Sequence, residues 1–215
     1  MTPLDSPAGS MRLVGGDPCL DFVNTVGGRS TRVAGSTSGV VADKLAGYLD
    51  LLAWGRHTGQ LSEAGARGLA MQAERRPREA AALVVRARAL REAVYRLLLG
   101  ALTDDRRPDP ADLEILNAEL AVARGQQRLA PGAGRLRWEW VQAGERLDSV
   151  LWPVSRAAAA LLTSDDLSRL RQCAGDGCGW LFLDRSRNRS RQWCTMQDCG
   201  NVSKARRFRQ RRRRR

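Results

Sequence analysis

Four of the five cysteines in this chain stand in two pairs, Cys173 with Cys178 and Cys194 with Cys199, in the pattern C-x4-C-x15-C-x4-C. A tetrahedral zinc site takes four thiolates from two closely spaced pairs of this kind. The pattern predicts one structural Zn2+ held by Cys173, Cys178, Cys194 and Cys199. A redox-sensing dithiol is the alternative chemistry for clustered cysteines, but four ligands at paired spacing suit a closed metal site better. With all four positions filled by sulfur, the metal keeps no open position for a reacting water. The least demanding role for such a centre is an inert staple.

Other reactive residues are sparse. The single histidine, His57, sits in "WGRHTG" at a predicted helix end, where histidine more often caps carbonyls than abstracts protons. Cys19 stands alone on an apolar face and reads as a small buried hydrophobe. There is no nucleophile elbow, phosphate loop or metalloprotease helix, so the chain is not expected to be an enzyme.

Charge suggests what the metal module is for. Residues 163–215 hold 15 Lys and Arg against 5 Asp and Glu, a net of +10, whereas residues 1–162 hold 21 against 18. A genome rich in G and C would inflate arginine everywhere, but it would not segregate the excess to one end. Arg185, Arg187, Arg189 and Arg191 alternate between the cysteine pairs, and Lys204, Arg206, Arg207 and Arg209 follow the last one, ahead of five terminal arginines. Neutralising several phosphates releases counterions, and guanidinium forks suit phosphate and guanine, so these eight residues are the candidate DNA contacts. RNA is the rival partner, in an RNA-binding or ribosome-associated zinc protein. A zinc-stabilised protein-interaction module is a second rival, and it predicts negligible nucleic-acid affinity.

The elements that must position these residues follow from periodicity and punctuation. "GWLFLD" and "RQWC" read as two strands around the polar turn "RSRNRS", and "GNVSKARRFRQ" as a helix with Val202, Ala205 and Phe208 on one side. Knuckle, hairpin and helix would then surround the metal as a treble-clef-like finger. Ahead of it, Asp17 and Pro18 start a helix over 18–26. Its polar residues Asp21, Asn24 and Thr25 are either a solvated side or, beside the loop with Arg29 and Arg32, the hydrogen-bonding wall of a ligand pocket. "DKLAGYLDLLAW", "SEAGARGLAMQAE", a run of about six turns from Pro77, and a stretch from Asp109 and Pro110 with Leu113, Leu116 and Leu120 in a stripe complete a helical bundle. "QQRLA" and "RLRWEWV" flank "PGAG" as a hairpin, with Leu136, Trp138 and Trp140 on one face. Pro153 starts or kinks a helix through "VSRAAAALL", and Ser164 caps "DDLSRLRQ", which runs directly into Cys173.

The fold expected is mainly α (α+β). It has a flexible N-terminus over 1–14, a helical domain with a short hairpin over 15–163, a zinc finger over 164–210 and a basic tail over 211–215. No secretory signal or membrane-length apolar run is visible, so the cytoplasm, at the nucleoid, is the expected location.

The segment "CGWLFLDRSRNRSRQWCTMQDCGN" resembles the CGNR-type zinc finger, although Val202 stands where that motif has arginine. The front, through "GGDPCLDFVNTV" at 15–26 and "LLAW" ending at Trp54, resembles the ABATE domain that commonly precedes this finger. The resemblance implies a bacterial, stress-related transcription regulator that binds DNA, with an N-terminal sensor for a small-molecule effector, and it favours the pocket reading of Asp21, Asn24 and Thr25. A homodimer fits operators that pair half-sites, though no heptad seam specifies one.

Overall fold

The computed structural model describes residues 6–29, 43–103 and 107–213; Arg32 and the last two arginines of the tail lie outside the described residues. Helix α1 (Pro18–Val23) starts as expected, with the Asp17 carboxylate accepting from the Cys19 amide and proline in the first turn. It ends three residues before the expected boundary. The Thr25 amide turns back to the Phe22 carbonyl, and Val26 forms an antiparallel bridge with Asp43.

Helix α2 (Tyr48–His57) begins where the Gly47 amide donates to Asp50, and α3 (Glu63–Arg75) where the Ser62 hydroxyl accepts from the Gly65 amide. Helices α4 (Pro77–Gly100) and α5 (Pro110–Arg124) both carry proline in the first turn. Strands β1 (Gln127–Pro131) and β2 (Leu136–Trp140) form the expected antiparallel hairpin, and α6 (Trp152–Leu162) follows a 3-10 turn over Leu147–Leu151.

Helix α4 is the axis of the bundle, touching α1, α2, α3, α5 and α6. Phe22 meets Trp54 edge-on, with ring centroids 5.2 Å apart, at the centre of the apolar core. Ala8 and Met11 are buried in that core, and His57 donates through Nε2 to the Met11 carbonyl at 2.7 Å. The segment expected to be flexible to residue 14 therefore packs from Ser6 onward.

The C-terminal third departs most from expectation. Residues 165–172 are a 3-10 turn, Asp165–Arg169, and a strand β3 (Leu170–Gln172), not a helix. Strand β3 pairs antiparallel with β4 (Leu181–Leu183), placing Arg171 opposite Phe182. The hairpin thus spans the first cysteine pair, and "RQWC" forms no strand. A π-type turn over Met196–Gly200 leads into α7 (Asn201–Arg213).

Alternation along β4 links the two regions of the molecule. Leu181 and Leu183 belong to the bundle core with Leu170, while Phe182 faces the other way and packs with Cys173 and Cys194. Burying each of these side chains contributes roughly 1.5–3 kcal/mol, so the hairpin is part of the main core and not an appendage to it.

Candidate metal centre and its basic surroundings

The sulfurs of Cys173, Cys178, Cys194 and Cys199 all lie within 4.8 Å of one another. Cys178 to Cys194 is 3.7 Å and Cys194 to Cys199 is 3.5 Å. A regular tetrahedron with zinc–sulfur bonds of about 2.3 Å has edges of about 3.8 Å, so the quartet is already near the size the metal requires.

Backbone amides support it. Gly175 and Cys194 donate to the Cys173 sulfur at 3.4 and 3.2 Å, which favours the thiolate. The hydrogen bond shared by Cys173 and Cys178 draws the first thiol down and pushes the second up. Four thiolates this close therefore need a dication to coexist. Gly175 is required by space: a Cβ there would fall 2.8 Å from the Cys199 sulfur. These residues fit one structural Zn2+, and Cys199 brings its ligand from the turn that opens α7.

Residues 16–165 match the ABATE family model, described as "Putative stress-induced transcription regulator", and residues 169–212 match the CGNR zinc finger. The chain belongs to the ABATE family. No curated protein matches it. Both matched families are regulatory or zinc-finger types.

Around the CGNR centre, the candidate DNA residues divide into two groups. Arg191 turns inward, against expectation. It donates to the carbonyls of Cys194 at 2.6 Å, Trp193 at 3.1 Å and Val14 at 3.2 Å, and its guanidinium stacks 4.0 Å over Phe182. Arg206 pairs with Asp176, Arg207 lies over Trp193, and Arg185 reaches Asp166 at 3.4 Å. The side chains of Arg187, Arg189, Lys204 and Arg209 are exposed and have no ion pair or hydrogen bond among the described residues.

The Arg185–Arg191 loop is shaped by a residue the sequence reading passed over. Asp184 is fully buried and accepts from the Ser186 amide and hydroxyl and from the Arg191 amide, at 2.9, 2.6 and 2.9 Å. Ser186, through its hydroxyl first, holds this carboxyl below its ordinary value. The visible signal was "DRS", an aspartate followed two residues on by a serine, as in an Asx turn.

Val202, Ala205 and Phe208 share a side of α7 as expected, but that side is exposed and covers no core. Helix α7 touches the rest of the molecule mainly through the π-type turn before it.

The three residues expected to wall a ligand pocket are committed elsewhere. Asp21 accepts from the amides of Val14 and Gly15 at 3.0 and 2.8 Å; burial pushes its carboxyl up, and those amides oppose the rise. Asn24 donates to the Leu181 carbonyl at 2.8 Å and accepts from its amide at 2.9 Å. Thr25 donates to the Phe22 carbonyl and accepts from Arg91. All three are buried, so this polar side of α1 is an internal joint and not an open wall.

The same joint gathers further contacts. Trp180 donates to the Val26 carbonyl at 2.8 Å, the Arg29 amide donates to the Cys178 carbonyl at 3.2 Å, and the Tyr95 hydroxyl donates to the Gly179 carbonyl at 3.0 Å. The Arg29 side chain stacks 4.2 Å over Tyr95 and donates to Glu92. Gly179 has φ +68, and a Cβ there would fall within 2.8 Å of the Arg29 backbone.

Proposed function

We propose that this protein is a one-component transcription regulator whose zinc centre presents α7 and the Arg185–Arg191 loop to duplex DNA. The observation that carries this reading is the set of cations Arg187, Arg189, Lys204 and Arg209, whose side chains are unpaired among the described residues, beside the metal site in a segment of net +10. A helix of ordinary diameter fits the major groove. Arg206 and Arg207 tether one side of α7 to the finger. At the helical repeat, Ala205, Phe208 and Arg212 fall on the opposite side, where apolar contact with thymine methyls and forked contact with guanine read sequence. Arg187 and Arg189 contact phosphate, and Arg191 only braces the loop. Nothing in this scheme involves catalysis, and it operates in the cytoplasm on nucleoid DNA.

Sensing belongs to the same proposal, in a different place from the one the sequence suggested. A groove of about 910 Å³ is lined by Leu97, Leu99, Leu113, Leu162 and Leu167, with Arg96 and Arg107 also in its wall. Asp109 and Asp112 line it too, and Arg96 is paired with Asp112 at 2.5 Å, so the groove suits a mainly apolar effector without a net charge.

The test begins by selecting preferred duplexes from a randomised pool, then measures affinity against salt. The selected site is expected to be bound at least ~1000-fold more tightly than bulk DNA or RNA. Arg187→Gln with Arg189→Gln should reduce the salt slope by about two while leaving site preference unchanged. Equal affinity for every duplex and RNA, or a flat salt response, would reject the regulator reading.

A further inference from the structure

The β1–β2 hairpin projects from the bundle as an arm. Leu129 stands opposite Trp138 and Pro131 opposite Leu136, and the period of two puts all four on one face. On that face Leu129 is 53% exposed, Leu136 64% and Trp138 59%. The root is tied down by Trp140, which lies against Trp152 at 5.8 Å, and by the Val141 amide donating to the Gln126 carbonyl. On the reverse face Arg128 and Arg137 both pair with Glu139, at 2.7 and 3.2 Å. Charge on the arm is thus partly matched, and its apolar face offers nothing to a polyanion.

A two-stranded ribbon is marginal in water unless its apolar face is covered, and a contiguous exposed apolar patch marks an interaction surface. We propose that a second copy of this chain covers it, the two arms packing apolar face to apolar face across a two-fold axis. Such a contact is isologous: each Trp138 and Leu136 meets the equivalent residues of the other copy, so one surface supplies both halves. The exposed parts of these side chains amount to roughly 400 Å² per copy. Doubled, this is roughly 800 Å², the size of a weak, transient contact, below the about 1,200 to 2,000 Å² of standard interfaces. Weak, reversible association is the expected behaviour. The dimer carries two fingers, as paired half-sites require.

Salt separates this contact from nucleic-acid binding. Each chain carries a net charge of +13, so two copies repel, and screening tightens the dimer as salt rises. Duplex affinity moves the other way.

Sedimentation velocity on the zinc-loaded, reduced, full-length chain, stripped of nucleic acid, tests the proposal from sub-micromolar to several hundred micromolar. The wild type is expected to show a monomer–dimer equilibrium. Trp138→Glu and Leu136→Glu are each expected to weaken it by at least ~10-fold, and Arg128→Ser on the reverse face to leave it unchanged. Hydrogen exchange on the wild type guards against misfolded variants: the amides of 127–140 should slow as protein concentration rises. A wild type that stays monomeric throughout overturns the proposal. So does a dimer that ignores both glutamates and gives 127–140 no concentration-dependent protection. Neither measurement involves DNA, so this proposal can fail while the regulator reading stands.

Discussion

Asn24 directs both ends of its amide at the backbone of Leu181, 157 residues away in sequence. Alanine there would leave a buried N–H and a buried C=O without partners, at about 1–3 kcal/mol each. Asn24→Ala is therefore expected to lower stability by about 2–6 kcal/mol and the melting temperature by roughly 4–24 °C, measured by thermal denaturation. A melting temperature like that of the wild type would contradict the joint. Nothing near Asn24 in sequence announces its partner. Asp21, Asn24 and Thr25 lie on one side of an amphipathic stretch, where a solvated surface, a ligand wall and a buried joint all write the same pattern. The cysteine quartet was legible for the opposite reason: its ligands are close in sequence, and metal chemistry restricts both residue type and spacing. Arg191 and Arg187 look alike along the chain; only tertiary contact turns one inward and leaves the other in solvent.

Helix starts were readable because caps are local. Asp17 with Pro18, and Asp109 with Pro110, each begin a helix within a residue of where their chemistry placed it. Strand β3 was not readable, since "SDDLSRLRQ" carries a helix-start signature that pairing with β4 overrides. The link between the end of α1 and α4 belongs to this scale and carries a pH signature. Glu92 accepts from Arg29 and Arg91, and Asp43 from Arg91. Burial is the largest influence and works against ionisation of both carboxyls, but the arginine hydrogen bonds and charges, with the Leu45 amide at Asp43, together outweigh it and hold each below its ordinary value. A carboxyl that is lowered on folding stabilises the fold above its unfolded pKa, and that contribution disappears as pH falls through the folded value. Denaturant midpoints should therefore hold steady from neutrality down to the ordinary carboxylate range and decline below it. The double change Glu92→Gln with Asp43→Asn should flatten the decline; an identical acid limb in that variant would assign it to other groups.

At the scale of the molecule, the three-residue strand β4 is a wall common to two rooms, with Leu181 and Leu183 on the bundle side and Phe182 on the metal side. Metal binding in small finger modules supplies folding free energy, and here that free energy reaches the bundle through β4 and Asn24. Stripping the zinc with a chelator is expected to lower the melting temperature of the entire chain in one transition. Amide protection in α1 should fall along with that of the knuckle, as hydrogen exchange can follow. Two separated transitions, with α1 unaffected, would show the finger to be autonomous. The shared wall also constrains how such proteins are inherited. The two matched regions meet between residues 165 and 169, so a recombination there would tear Leu170, Leu181 and Leu183 from the hydrophobic interior they complete. A foreign finger spliced at that seam keeps the host folded only if it brings apolar residues in the same alternation and a backbone that answers Asn24, which makes the pair a single hereditary unit.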